Sequence, residues 1–178
     1  MTVFLIILAC LLFAGSIWAL ATRIALAPAL SYIGLVTLSL ATRNGYPLLP
    51  INATILTGWF CMTLVVTFAI YLEPVPVRAQ TRGMGYMIVG ALAGLAVGLL
   101  GFTVTGTPSL LYSLMILGVI VGIFLGFLLY TRTPHGAPVG PGSGNFFKYL
   151  LAKGFPTAIT VMQIGVVLVL LIAINSVR

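Results

Sequence analysis

The chain has 178 residues, 61% of them hydrophobic and 5% charged, with a net charge of +7 and a mean hydropathy of +1.26. An average soluble domain carries about 25% charged residues, so this composition excludes a soluble globular protein. The apolar runs are long and unbroken instead of alternating in segments of about ten, which excludes a transmembrane β-barrel and leaves an all-α, polytopic transmembrane helical bundle.

Apolar runs between breakers predict six spans in a single integral membrane domain over residues 1–178. Span one is expected from about Val3 to Ala21 and span two from about Ile24 to Ala41, with little more than Thr22 and Arg23 between them. The first run has no basic n-region and reads as a retained span, not as a signal peptide. Span three covers about Asn52 to Leu72, after the breaker-rich Arg43-Asn44-Gly45-Tyr46-Pro47 and Pro50, and stops at Glu73-Pro74-Val75-Pro76. Span four covers about Gly85 to Phe102, and a short connection with Gly106 and Pro108 leads to span five, about Ser109 to Tyr130. Residues 131–144 are a Gly/Pro-rich loop without apolar periodicity. The last span, about Phe146 to Ile174, is long enough to tilt or to kink at Pro156, which removes a backbone donor.

Basic residues set the expected orientation. The odd-numbered loops carry Arg23, Arg78, Arg82, Arg132, Lys148 and Lys153, against only Arg43 and Arg178 elsewhere, so both termini are expected outside and the odd loops in the cytoplasm. The same scatter of cations, with no interleaved aromatics, speaks for anionic lipid headgroups as the partner and against nucleic acid. Cys10 and Cys61 fall inside spans without metal or redox spacing and are expected as small packing residues.

Glycine gives the strongest pattern. Span four carries Gly90, Gly94 and Gly98, and span five carries Gly118, Gly122 and Gly126. Residues four apart share a helix face, so each span presents a groove in which another backbone comes close. The expected result is a tight antiparallel glycine-zipper hairpin at the centre of the fold, with Ala91, Ala93 and Ala96 extending the small surface.

Polar residues are few. Glu73, the one acidic residue, stands at the end of span three near Arg78 and Arg82 and is expected in an interfacial ion pair. His135 is the one histidine, and no Cys/His/Asp/Glu cluster accompanies it, so no metal, no cofactor and no acid/base catalytic pair is expected. In the last span Thr157, Thr160 and Gln163 follow at helical spacing beside Lys153 and Pro156. They form either the wall of a solute path or a set of interhelical hydrogen bonds with Lys153 snorkelling to the interface. Trp59 lies several residues inside span three, where its indole N–H needs a partner.

The order of an apolar N-terminal hairpin, Pro/Gly-punctuated loops, the paired glycine triplets and a final span introduced by Lys148 resembles an uncharacterised family of bacterial inner-membrane proteins with glycine zippers. That resemblance implies no established activity and carries over no functional residue. In size and span number the chain also looks like the substrate-binding membrane subunits of energy-coupling-factor vitamin transporters, with an alanine echo at Ala21, Ala25 and Ala29. It departs from them in the Arg23 and Pro28 that interrupt this echo and in its scarcity of polar side chains for gripping a vitamin. The sequence therefore leads to a non-catalytic structural or accessory subunit, packed in a homo-oligomer or against membrane-protein partners. A small-solute carrier or channel, or the membrane subunit of a transporter, is the alternative.

Overall fold

A computed structural model describes residues 2–22, 24–43, 46–49, 51–72, 83–105, 108–132 and 146–176. The first helix, α1 (Thr2–Thr22), is followed by a 3-10 turn, Ile24–Leu26, that runs directly into α2 (Ala27–Ser39). Pro28 sits in the first turn of α2, where its missing N–H has no intrahelical partner to lose. A short antiparallel strand pair, β1 (Thr42–Arg43) and β2 (Tyr46–Pro47), pairs Thr42 with Pro47 and Arg43 with Tyr46. It was not expected from the sequence, although Asn44-Gly45 between the strands is a strong two-residue hairpin signal. Then come α3 (Ala53–Leu72), α4 (Met84–Thr105) and α5 (Pro108–Thr131). The last helix starts as α6 (Phe146–Tyr149), widens into a π segment at Leu150–Gly154 and continues as α7 (Phe155–Ser176).

Among the described residues, five helical stretches are long and apolar enough to cross a membrane: Thr2–Thr22, Ala53–Leu72, Met84–Gly101, Tyr112–Thr131 and Leu150–Ile172. The chain is an integral membrane protein. In hydrocarbon every backbone N–H and C=O needs an internal partner, and helices supply one within each segment. Expected span two appears as a shorter apolar helix, Ile24–Ser39. The Thr2 hydroxyl donates to the Thr42 carbonyl at 2.7 Å, so the chain leaving α2 has returned to the level where α1 begins.

The centre of the bundle is α7, which packs against α1, α2, α3, α4 and α5. From Ala152 to Val167 every residue is buried except Phe155 and Ile164. This corrects the expectation that the hairpin of α4 and α5 holds the centre. Those two helices make the most extensive helix-to-helix contact, but they stand to one side and expose Val89, Val97, Leu117 and Leu129. Lipid and protein interior are equally apolar, so hydropathy does not mark which span is enclosed. A second, smaller apolar cluster of Ala9, Leu35, Leu38, Leu49 and Val167 fastens the α1–α2 hairpin to α7.

Candidate functional site

The path of α4 against α5 is set by glycine. A Cβ built on Gly90 would run into the Gly122 carbonyl, one on Gly94 into the Gly118 carbonyl, and one on Gly126 into the Tyr86 carbonyl. At Gly98 the obstacles are the Leu114 carbonyl oxygen and the Met115 Cα, both at 2.8 Å. The pairs step by four residues in opposite directions along the two helices, so the helices are antiparallel and their backbones are in contact. Ala91 is buried here, whereas Ala93 and Ala96 are exposed and take no part. Just before α4, Gly83 holds φ at +84°, and a Cβ there would lie 2.7 Å from the Tyr130 ring. Both the left-handed backbone and the ring exclude a side chain at that corner.

The polar stretch of the last span is shaped by Pro156. A proline blocks the carbonyl four residues earlier, here that of Ala152, and the chain before it takes the wider π turn. The Thr157 hydroxyl donates to the Lys153 carbonyl at 2.7 Å and so satisfies an acceptor within the disturbed turn. Lys153 does not snorkel to an interface: it is 2% exposed and lies inside the bundle.

Thr157, Thr160 and Gln163 are all 0% exposed. The Gln163 Nε2 donates to Thr63 Oγ1 on α3 at 3.0 Å, and its Oε1 accepts from the Ser31 hydroxyl on α2. The Thr63 hydroxyl in turn donates a hydrogen bond to the Trp59 carbonyl at 2.8 Å, and the Pro28 carbonyl lies 3.0 Å from Ser31 Oγ as a second acceptor. One amide thus ties three helices together. Ser31 and Thr63 were not singled out in the sequence. The signal that points to them is Gln163 itself, since a buried amide needs both a donor and an acceptor across the helix interface. The Thr160 hydroxyl is buried with no hydrogen-bond partner among the described residues.

A cleft of about 940 Å³ opens between α3 and α5, with the last helix as its floor. Trp59 and Met62 form one wall, Ile120 and Phe124 the other, and Gly154 and Ala158 lie beneath. Thr157, Thr160 and Gln163 are not among its lining residues. Cys10 and Cys61 are exposed on outward helix faces, which corrects the expectation that they pack in the interior. Glu73, Arg78 and Arg82, with their expected ion pair, lie outside the described residues, as do His135 and nearly all of the loop 131–144. Among the described residues no group of three His, Cys, Asp or Glu side chains is placed to hold a metal ion.

Comparison of the chain with protein-family profiles, curated proteins and solved structures finds no match in any of the three.

Proposed function

We propose that the protein is a non-catalytic polytopic membrane subunit that packs in a membrane assembly or homo-oligomer. The observation that carries this reading is the fate of its most polar intramembrane stretch. Gln163 is spent on hydrogen bonds to α2 and α3, Thr157 on a carbonyl of its own helix, and none of the three polar residues borders the cleft. A transport site needs polar groups converging on a cavity, whereas here they hold helices together and the cavity is apolar. In this reading α4 and α5 form a glycine-zipper hairpin, a rigid slab against which α7 and its neighbours pack. The return of the chain to Thr42 supports six crossings, and the cation distribution supports both termini outside the membrane.

A second reading, a small-solute carrier, draws on the enclosed Lys153 and the unpartnered Thr160 hydroxyl, because buried polar groups within a span are often functional. One experiment separates the two. In a Cys10→Ala, Cys61→Ala background, Thr160→Cys is treated with a small cationic methanethiosulfonate reagent from each side of sealed vesicles. The subunit reading expects no labelling from either side. Labelling that a transported solute blocks would make this face a solute path.

A further inference from the structure

We propose that the cleft between α3 and α5 binds an anionic phospholipid, with an acyl chain lying along the last helix and the headgroup held by Arg132 and Lys148. The proposal stands whether or not the chain has protein partners. Its first support is the position of the two cations. Val121 and Leu125 line the cleft, and Arg132 continues their stripe through the exposed Leu129 at four- and three-residue steps. The backbone N–H of Arg132 still bonds to the carbonyls of Leu128 and Leu129, so the helical phase carries through to it. On the last helix Lys148, Leu151 and Phe155 are exposed on one face, and the latter two line the cleft. The Phe127 and Tyr149 rings stack with centroids 5.2 Å apart, which puts the end of α5 and the start of the last helix at the same end of the bundle. Both cations are exposed there, each on a face that enters the cleft.

The second support is the lining. Two helices associate in a membrane through small residues that let backbones approach and through interhelical hydrogen bonds. Gly58, Gly154 and Ala158 are the small residues of this cleft, but the rest of its lining is Ile, Leu, Val, Phe and Met side chains with Trp59 as the one strong donor, so it offers a partner helix almost no interhelical hydrogen bonding and suits a flexible acyl chain better. Its dimensions agree. The floor runs from Leu150 to Met162, roughly 18 Å of helix, and one leaflet of hydrocarbon is roughly 15 Å thick. The cations stand at one end of this floor, where the headgroup of a lipid in that leaflet sits.

Phe124 lines the cleft one turn from Phe127, at the end where the cations stand, and Phe124→Trp serves as the reporter. In Trp18→Phe/Trp59→Phe/Phe124→Trp, reconstituted in unlabelled phosphatidylcholine, the fluorescence of this reporter is quenched with increasing fractions of brominated phosphatidylglycerol or brominated phosphatidylcholine. Two cations near the headgroup predict half-maximal quenching at a roughly thirtyfold lower fraction of the anionic lipid. Arg132→Gln/Lys148→Gln should abolish that difference and leave the phosphatidylcholine curve in place. Coincident curves in the parent protein, a preference that survives the double substitution, or no quenching by either lipid would each overturn the proposal. A phosphatidylcholine curve that moves in the double variant would also overturn it, because the two side chains would then be shaping the cleft.

Discussion

Substituting Gly94 by alanine places one methyl group against backbone that has no rotamer with which to retreat. The new Cβ would lie 2.5 Å from the Gly118 carbonyl carbon and 3.2 Å from the Val119 nitrogen. Carbon–carbon contact is comfortable at about 3.5 Å or more, and the Gly118 carbonyl oxygen is nearer still, so α4 and α5 must part by at least roughly 1 Å. Overpacking of this kind costs about 1–3 kcal/mol, and the upper end applies because parting the helices also loosens Gly90 from Gly122 and Gly98 from Leu114. Gly15→Ala is the matched control, since a Cβ there meets nothing within 4 Å. Alanine in that open helical position gains up to about 1 kcal/mol of helix propensity. The two variants should therefore move in opposite directions. Unfolding in a sodium dodecyl sulfate titration from mild non-ionic detergent, followed by circular dichroism, measures the difference. Midpoints for the two variants that agree within about 0.5 kcal/mol would refute the backbone-contact argument.

Gln163→Met keeps the volume of the side chain but removes both interhelical bonds. Ser31 and Thr63 retain the Pro28 and Trp59 carbonyls as acceptors, so the loss should be about 1–2 kcal/mol in the same titration; no loss would deny the amide its tying role. Thr160→Val removes a buried hydroxyl that has no partner, and stability should stay level or rise by about 1 kcal/mol. A loss above 1 kcal/mol would mean that the hydroxyl is bonded in the membrane. For orientation, Lys148→Cys in the Cys10→Ala, Cys61→Ala background should react in intact cells only with a membrane-permeant reagent, and Pro47→Cys with an impermeant one. The reverse pattern would invert the topology.

Much of the architecture was legible because the bilayer imposes it: a run of apolar residues between breakers has to be a helix. The segment boundaries at Leu72 and around Tyr130 follow from Glu73-Pro74 and the Gly/Pro loop. The glycine triplets pointed to the face on which α4 and α5 approach, because an absent side chain is itself a packing signal. Enclosure was harder to read. The sequence does not say that α7 is surrounded, since the same valines and isoleucines are equally at home against lipid. For that reason the buried Lys153 and the partners of Gln163 emerge only once five helices are set around it. The cleft was hidden for a related reason: it is a place where α3 and α5 diverge, and no pattern in either helix announces a missing contact. Arg132 and Lys148 were readable as orientation charges, but their shared end of the bundle depends on the stacking of Phe127 on Tyr149.

The subunit reading is tested most directly by native mass spectrometry of the protein extracted from its own membrane in mild detergent. The account predicts a stoichiometric complex, either with other membrane proteins or as a closed oligomer of this chain, with any small-molecule adducts being lipids. A lone monomer that carries a reproducible polar solute, released when Thr157, Thr160 or Gln163 is substituted, would contradict it.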